Sequence, residues 1–91
     1  MQTFQLLTPI MDQQKNPVTA VNVDEPTIKE IIKFYDDTKK HGGVMALVLV
    51  ISGQSGLDPF TVQAIKARDF NAISGYFNSF FSDADTESSA S

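Results

Sequence analysis

Cysteine is absent from this 91-residue chain, and histidine occurs once. The first absence excludes a disulfide framework and any thiolate nucleophile. Together they exclude the common structural zinc sites, which draw four ligands from Cys and His. The apolar run 44–51 is far shorter than the roughly 20 residues that a bilayer span requires. The opening residues Met1-Gln2-Thr3-Phe4 lack the basic n-region and apolar core of a signal peptide, so the expected location is cytoplasmic. Basic residues are outnumbered seven to eleven, giving a net charge of −4, which argues against a nucleic-acid footprint. No internal repeat is evident. Gly53-Gln54-Ser55-Gly56 has neither the spacing nor the following lysine of a phosphate loop, and no nucleophile elbow is present.

What is present reads as one globular domain with a modest core. The apolar period changes abruptly within residues 21–30. Val21 and Val23 alternate as in a strand, whereas Ile28, Ile31, Ile32 and Tyr35 share one helical face. Between them Thr27 and Glu30 form a Thr-x-x-Glu capping box. Upstream, residues 3–7 alternate as a first strand, with Phe4 and Leu6 facing inward, and Thr8-Pro9 is expected to end it. A polar loop and a second strand, 18–23, complete a β-hairpin, which must pack on something to be stable.

The first helix is expected over 28–40, closed by Lys39, Lys40 and His41 at its negative end and by Gly42-Gly43. The run 44–51 reads as a buried strand by its β-branching or as a buried helix by its context, and the bracketing glycines favour the helix. Asp58-Pro59 opens a short third helix. Asp69 offers a cap for a last helix over 70–81, where Phe70, Ile73, Phe77 and Phe80 fall on one face and Tyr76 and Phe81 widen it. Gly75 inside that helix suggests close approach of another element. The fold class is therefore α+β: an N-terminal hairpin (1–25) followed by a small bundle of three to four helices (27–81). Residues 82–91, with Asp83, Asp85 and Glu87 among small polar neighbours, read as a disordered acidic tail.

No constellation supplies nucleophile, base and orienter together, so an enzyme is not expected, nor a cofactor or metal. His41 follows two lysines at a helix end and suits the dipole. Asp36 and Asp37 diverge around a helix and read as a solvated face. Lys66 and Arg68 make a small basic spot, which leaves a DNA-binding regulator as an alternative that the acidic balance opposes. Tyr76, Phe80 and Phe81 form a wider aromatic face than a small domain usually buries; they read either as core or as partner contacts, and with the exposed part of the first helix they are the candidate partner residues.

The order of landmarks carries a resemblance. Leu7-Thr8-Pro9-Ile10 follows the first strand, and Pro26-Thr27 opens a capped helix. An apolar segment ends near Ser52-Gly53, Leu57-Asp58-Pro59 starts a short helix, and Ala67-Arg68-Asp69-Phe70 leads into an aromatic one. Over residues 4–81 this resembles the tail assembly chaperones of contractile-tailed phages and prophages, the group that includes the P2-like and Mu-like small tail proteins. It departs from that pattern at Asp24-Glu25, where the family often has a basic residue. The resemblance implies a chaperone that binds the tape measure protein and keeps it soluble in the bacterial cytoplasm before the tail tube forms, absent from the mature virion. Such genes often yield a longer frameshifted product as well. A structural tail component is the other alternative. Expected partners are the tape measure protein and, further, a second copy of the chain; nucleic acid and membrane are not.

Overall fold

The computed structural model describes the backbone of residues 1–90 and the side chains of residues 1–81. Two strands, β1 (Gln2–Met11) and β2 (Pro17–Val23), form an antiparallel hairpin. Four helices follow: α1 (Ile28–His41), α2 (Gly43–Ser55), α3 (Pro59–Gln63) and α4 (Ala67–Ala90). The α+β class and the element order are those expected.

The hairpin is longer than expected, and β1 does not end at Thr8-Pro9. Gln5 pairs with Ala20 and Ile10 with Val18, so five steps along β1 answer two along β2. The excess forms a bulge at residues 6–9. Proline is tolerated there because no ladder bond is asked of it. Two amides inside the bulge find another acceptor: Leu7 N and Thr8 N donate to the two carboxylate oxygens of Asp69, at 2.9 and 3.0 Å. Asp69 therefore sits in the first turn of α4, which starts at Ala67, and clamps the bulge instead of capping the helix. The connecting loop is organised by Asp12, whose Oδ1 accepts from Gln14 N and Asn16 N, while Lys15 adopts a left-handed φ of 64°.

Thr27 and Glu30 do form the capping box at the start of α1. A third residue secures the junction. Gln54, on α2, accepts from Asp24 N at 2.8 Å and donates to Glu30 Oε2 at 3.1 Å, so one amide ties the end of β2, the cap and α2 together. Past the cap, α1 is rotated from the expected phase. Its inward residues are Ile31, Phe34, Asp37 and Thr38, whereas Ile28 and Ile32 are exposed. The rotation follows from the stacking of Phe34 on Phe81, with ring centroids 4.1 Å apart and planes within 8°. Asp37 is buried rather than solvated, and its Oδ2 accepts from Lys33 Nζ at 2.7 Å. Asp36 remains exposed.

Gly42, with φ 90°, serves both helices that it joins. Its N–H donates to Thr38 O at the end of α1, and its carbonyl accepts from Ala46 N at the start of α2. The apolar run 44–51 is helical, and α2 buries Ala46, Leu47, Val48, Val50 and Ile51. A helix this apolar all round belongs at the centre of a core. Gly56 closes it in the left-handed conformation. Asp58 then caps α3 as expected, with Pro59 in the first turn. The core joins Leu6, Val21 and Val23 of the hairpin to Leu47, Ile51, Val62, Ile73 and Phe77 of the helices. Beyond the adjoining residues and backbone of α4 itself, no described heavy atom comes within 4 Å of where a Cβ on Gly75 would stand, so the close approach expected at that glycine does not occur among the described residues. The backbone of α4 continues to Ala90, through most of the segment expected to be a disordered tail; the side chains of that segment lie outside the described residues.

Candidate functional site

The three aromatic residues singled out in α4 separate into two environments. Phe81 is 3% exposed, stacked between Phe34 at 4.1 Å and Phe77 at 6.1 Å, and its carbonyl accepts from the Tyr35 hydroxyl at 3.3 Å. It is a core residue, and the expectation that it contacts a partner is corrected. The reason is helical phase: Ile73, Phe77 and Phe81 repeat at intervals of four and make the buried stripe. Tyr76 and Phe80 lie one position to the side of it and are half-buried. Their rings meet edge to face at 5.3 Å, and Tyr76 meets Phe4 of β1 in the same manner at 5.9 Å. This geometry favours aromatic contact and holds both rings at the rim of the core with part of each in solvent.

A second apolar surface lies on α1. Ile28 is 72% exposed and Ile32 59%, one turn apart on the same face. The periodicity that marks these residues is real, but they face away from the core. Lys29 and Lys33 run beside them as a parallel exposed pair. Tyr35, three positions on, is half-buried, and its hydroxyl bond to the Phe81 carbonyl joins α1 to the backbone of α4. Single exposed apolar residues are ordinary on a surface, but a pair at helical spacing is a candidate contact area. Val44 and Phe60 are also about 70% exposed, on α2 and α3.

The polar residues hold the scaffold. Asp58 is held below the ordinary carboxylate range, chiefly by the Thr61 hydroxyl that donates to its Oδ2 at 2.6 Å and then by Thr61 N at 3.0 Å on Oδ1. Both bonds favour the charged carboxylate, the form that a helix N-terminus prefers. His41 is exposed in the last turn of α1, beside Lys39 and Lys40. Among the described residues no group of three His, Asp or Glu side chains converges as a metal site, and no helix is long and apolar enough to cross a membrane. Sequence reasoning passed over Gln54 and misplaced Asp69, because both act on backbone groups far along the chain. A buried-type position occupied by Asp in a first turn is the signal that marks Asp69, and nothing local marks Gln54.

No curated protein and no solved structure matches the chain. A family model does, described as "Phage tail assembly chaperone proteins, E, or 41 or 14", over residues 3–82, from the first strand through α4 past the Phe77–Phe81 stack. With residues 3–82 of the 91 matched, this chain belongs to the phage tail assembly chaperone family.

Proposed function

We propose that this chaperone acts by binding the tape measure protein, without turnover, and keeps it soluble in the host cytoplasm until the tail tube forms around it. The observation that carries the proposal is the exposed Ile28–Ile32 pair, one turn apart on α1. A tape measure protein awaiting its tube is a long helical chain with apolar faces in need of cover. A narrow apolar stripe flanked by Lys29 and Lys33 suits such a face by helix-to-helix contact. Its small area suits release, since large apolar interfaces are typical of permanent complexes.

Co-expression with the cognate tape measure protein tests this. The wild-type chain is expected to keep the tape measure protein in the soluble fraction and to co-purify with it. Ile28→Asp with Ile32→Asp is expected to lower that recovery by about tenfold, the scale of losing about 1.4 kcal/mol of contact, while the melting temperature changes little. Failure of the wild-type pair to associate would remove the proposal. Unchanged recovery with the double variant would remove the assigned surface. Mass spectrometry of purified particles is expected to find the chain absent; its retention would favour a structural tail component.

A further inference from the structure

The solvent face of α1 is basic on a chain that is acidic in total. Four of the seven Lys and Arg residues stand on this one helix: Lys29, Lys33, Lys39 and Lys40, all exposed. The helix also carries three carboxylates, and two of them are engaged. Glu30 closes the capping box and accepts from Gln54. Asp37 is buried and holds the Lys33 ammonium at 2.7 Å. That leaves Asp36 against Lys29, Lys39 and Lys40, none of which forms an ion pair among the described residues.

The lysines are placed in order. At about 100° per residue, Lys29, Lys33 and Lys40 fall within roughly 40° of one line along the helix. From Lys29 to Lys40 that line runs about 16 Å, or about three turns. It lies roughly a quarter-turn from the line through Ile28 and Ile32, with Asp36 between the two. Lys39 continues the isoleucine line past its apolar part. The surface is therefore apolar at its start and cationic along one edge and at its far end. A bare apolar stripe accepts any apolar helix. A stripe bordered by ammonium groups discriminates, because a basic partner meets like charge and an acidic one does not. On the reading that Ile28 and Ile32 form the client surface, we propose that the segment α1 recognises is an amphipathic helix whose apolar stripe is bordered by Asp and Glu, running along Lys29, Lys33 and Lys40. This charge pattern selects where along a long client the chaperone sits. Each exposed pair contributes little and is screened by salt, so selection comes from the row and the contact stays reversible.

The test is recovery of co-expressed tape measure protein on the full chain, washed at about 0.05 M and about 0.5 M salt. Recovery is expected to fall several-fold at the higher salt. Lys29→Glu with Lys40→Glu is expected to lower it about tenfold or more at low salt, on the scale of a few charge contacts turned repulsive. Lys29→Gln with Lys40→Gln should lower it less, and it keeps the test open if the reversed pair disturbs the helix, which circular dichroism checks. Lys15→Glu with Lys66→Glu makes the same change of net charge away from α1 and is expected to leave recovery near that of the wild type. Overlapping peptides of the tape measure protein, read by fluorescence anisotropy, then locate the segment. Those that bind are expected to carry Asp or Glu beside an apolar stripe. Replacing these acids by Lys should abolish binding to the wild type and restore it to the Lys29→Glu/Lys40→Glu chain. Recovery indifferent to salt and to both α1 variants overturns the inference and leaves the client surface standing. So does an equal loss with Lys15→Glu/Lys66→Glu, or a set of binding peptides without the acidic border. No association under any condition removes the client reading itself, and this inference with it.

Discussion

The two long helices treat apolar side chains in opposite ways. Along α4, Ile73, Phe77 and Phe81 face inward and are almost fully covered. Along α1, Ile28 and Ile32 face outward, and the core receives Ile31, Phe34 and the buried Asp37 instead. Residue type does not make the difference, since isoleucine is buried on one helix and exposed on the other. The lesson is that packing phase, and not the apolar pattern alone, decides which side chains of a helix are covered. On α4 they agree and the result is core. On α1 they disagree by part of a turn, and apolar surface is left exposed.

Neighbouring residues on α4 offer the sharpest way to break this comparison. Phe81→Ala removes the ring packed between Phe34 and Phe77 and should destabilise the fold by about 3 kcal/mol, read by chemical denaturation. Phe80→Ala should cost less, about 1–2 kcal/mol, because that ring is only partly buried. Equal losses at the two positions would mean that the buried and rim stripes are not distinct.

Asp69→Ala ranks next. It strips the bulge amides of Leu7 and Thr8 of a charged acceptor and should cost about 2 kcal/mol. Amide hydrogen exchange should accelerate at residues 7 and 8 before it does so at Val21 or Val23. If exchange rises evenly along the hairpin, the carboxylate is not the local clamp.

Gly75→Ala should raise stability by roughly 0.5–1 kcal/mol, since the site is helical, exposed and open where a Cβ would stand. A loss there would reveal a neighbour that the described residues do not show.

The smallest effect is on titration. Asp58 has a folded-state pKa below its unfolded value of about 3.8. Its contribution to stability is therefore present above that unfolded value and is lost as pH falls through the lower folded value. Carbon-13 shifts of the Asp58 carboxyl should give a midpoint below the usual aspartate range, and Thr61→Val should move it upward. An unmoved midpoint would show that the Thr61 hydroxyl is not the main cause.

Several elements were legible in residues 1–81 taken as text. The capping box at Thr27 and Glu30, the Asp58-Pro59 start and the glycine at 42 are all local devices, and each acts within a few residues of itself. The family was legible in the same landmarks, because their order along the chain survives without any knowledge of packing. The bulge was not legible. Thr8-Pro9 ordinarily ends a strand, and what keeps β1 going is a carboxylate some sixty residues away. The candidate site was half legible: Tyr76 and Phe80 stand at the rim, whereas Phe81 belongs to the core and Ile28 and Ile32 belong to the surface.

The sequence by itself determined which elements form and in what order, because caps, turns and periodicity are properties of short segments. Only the tertiary structure decided which way each helix is turned. A helical pattern specifies an apolar stripe to within a residue or two, but rotation about the axis costs little until a partner is packed against it. Here the Phe34–Phe81 stack and the Gln54 bridge supply that partner for α1. They leave Ile28 and Ile32 facing solvent.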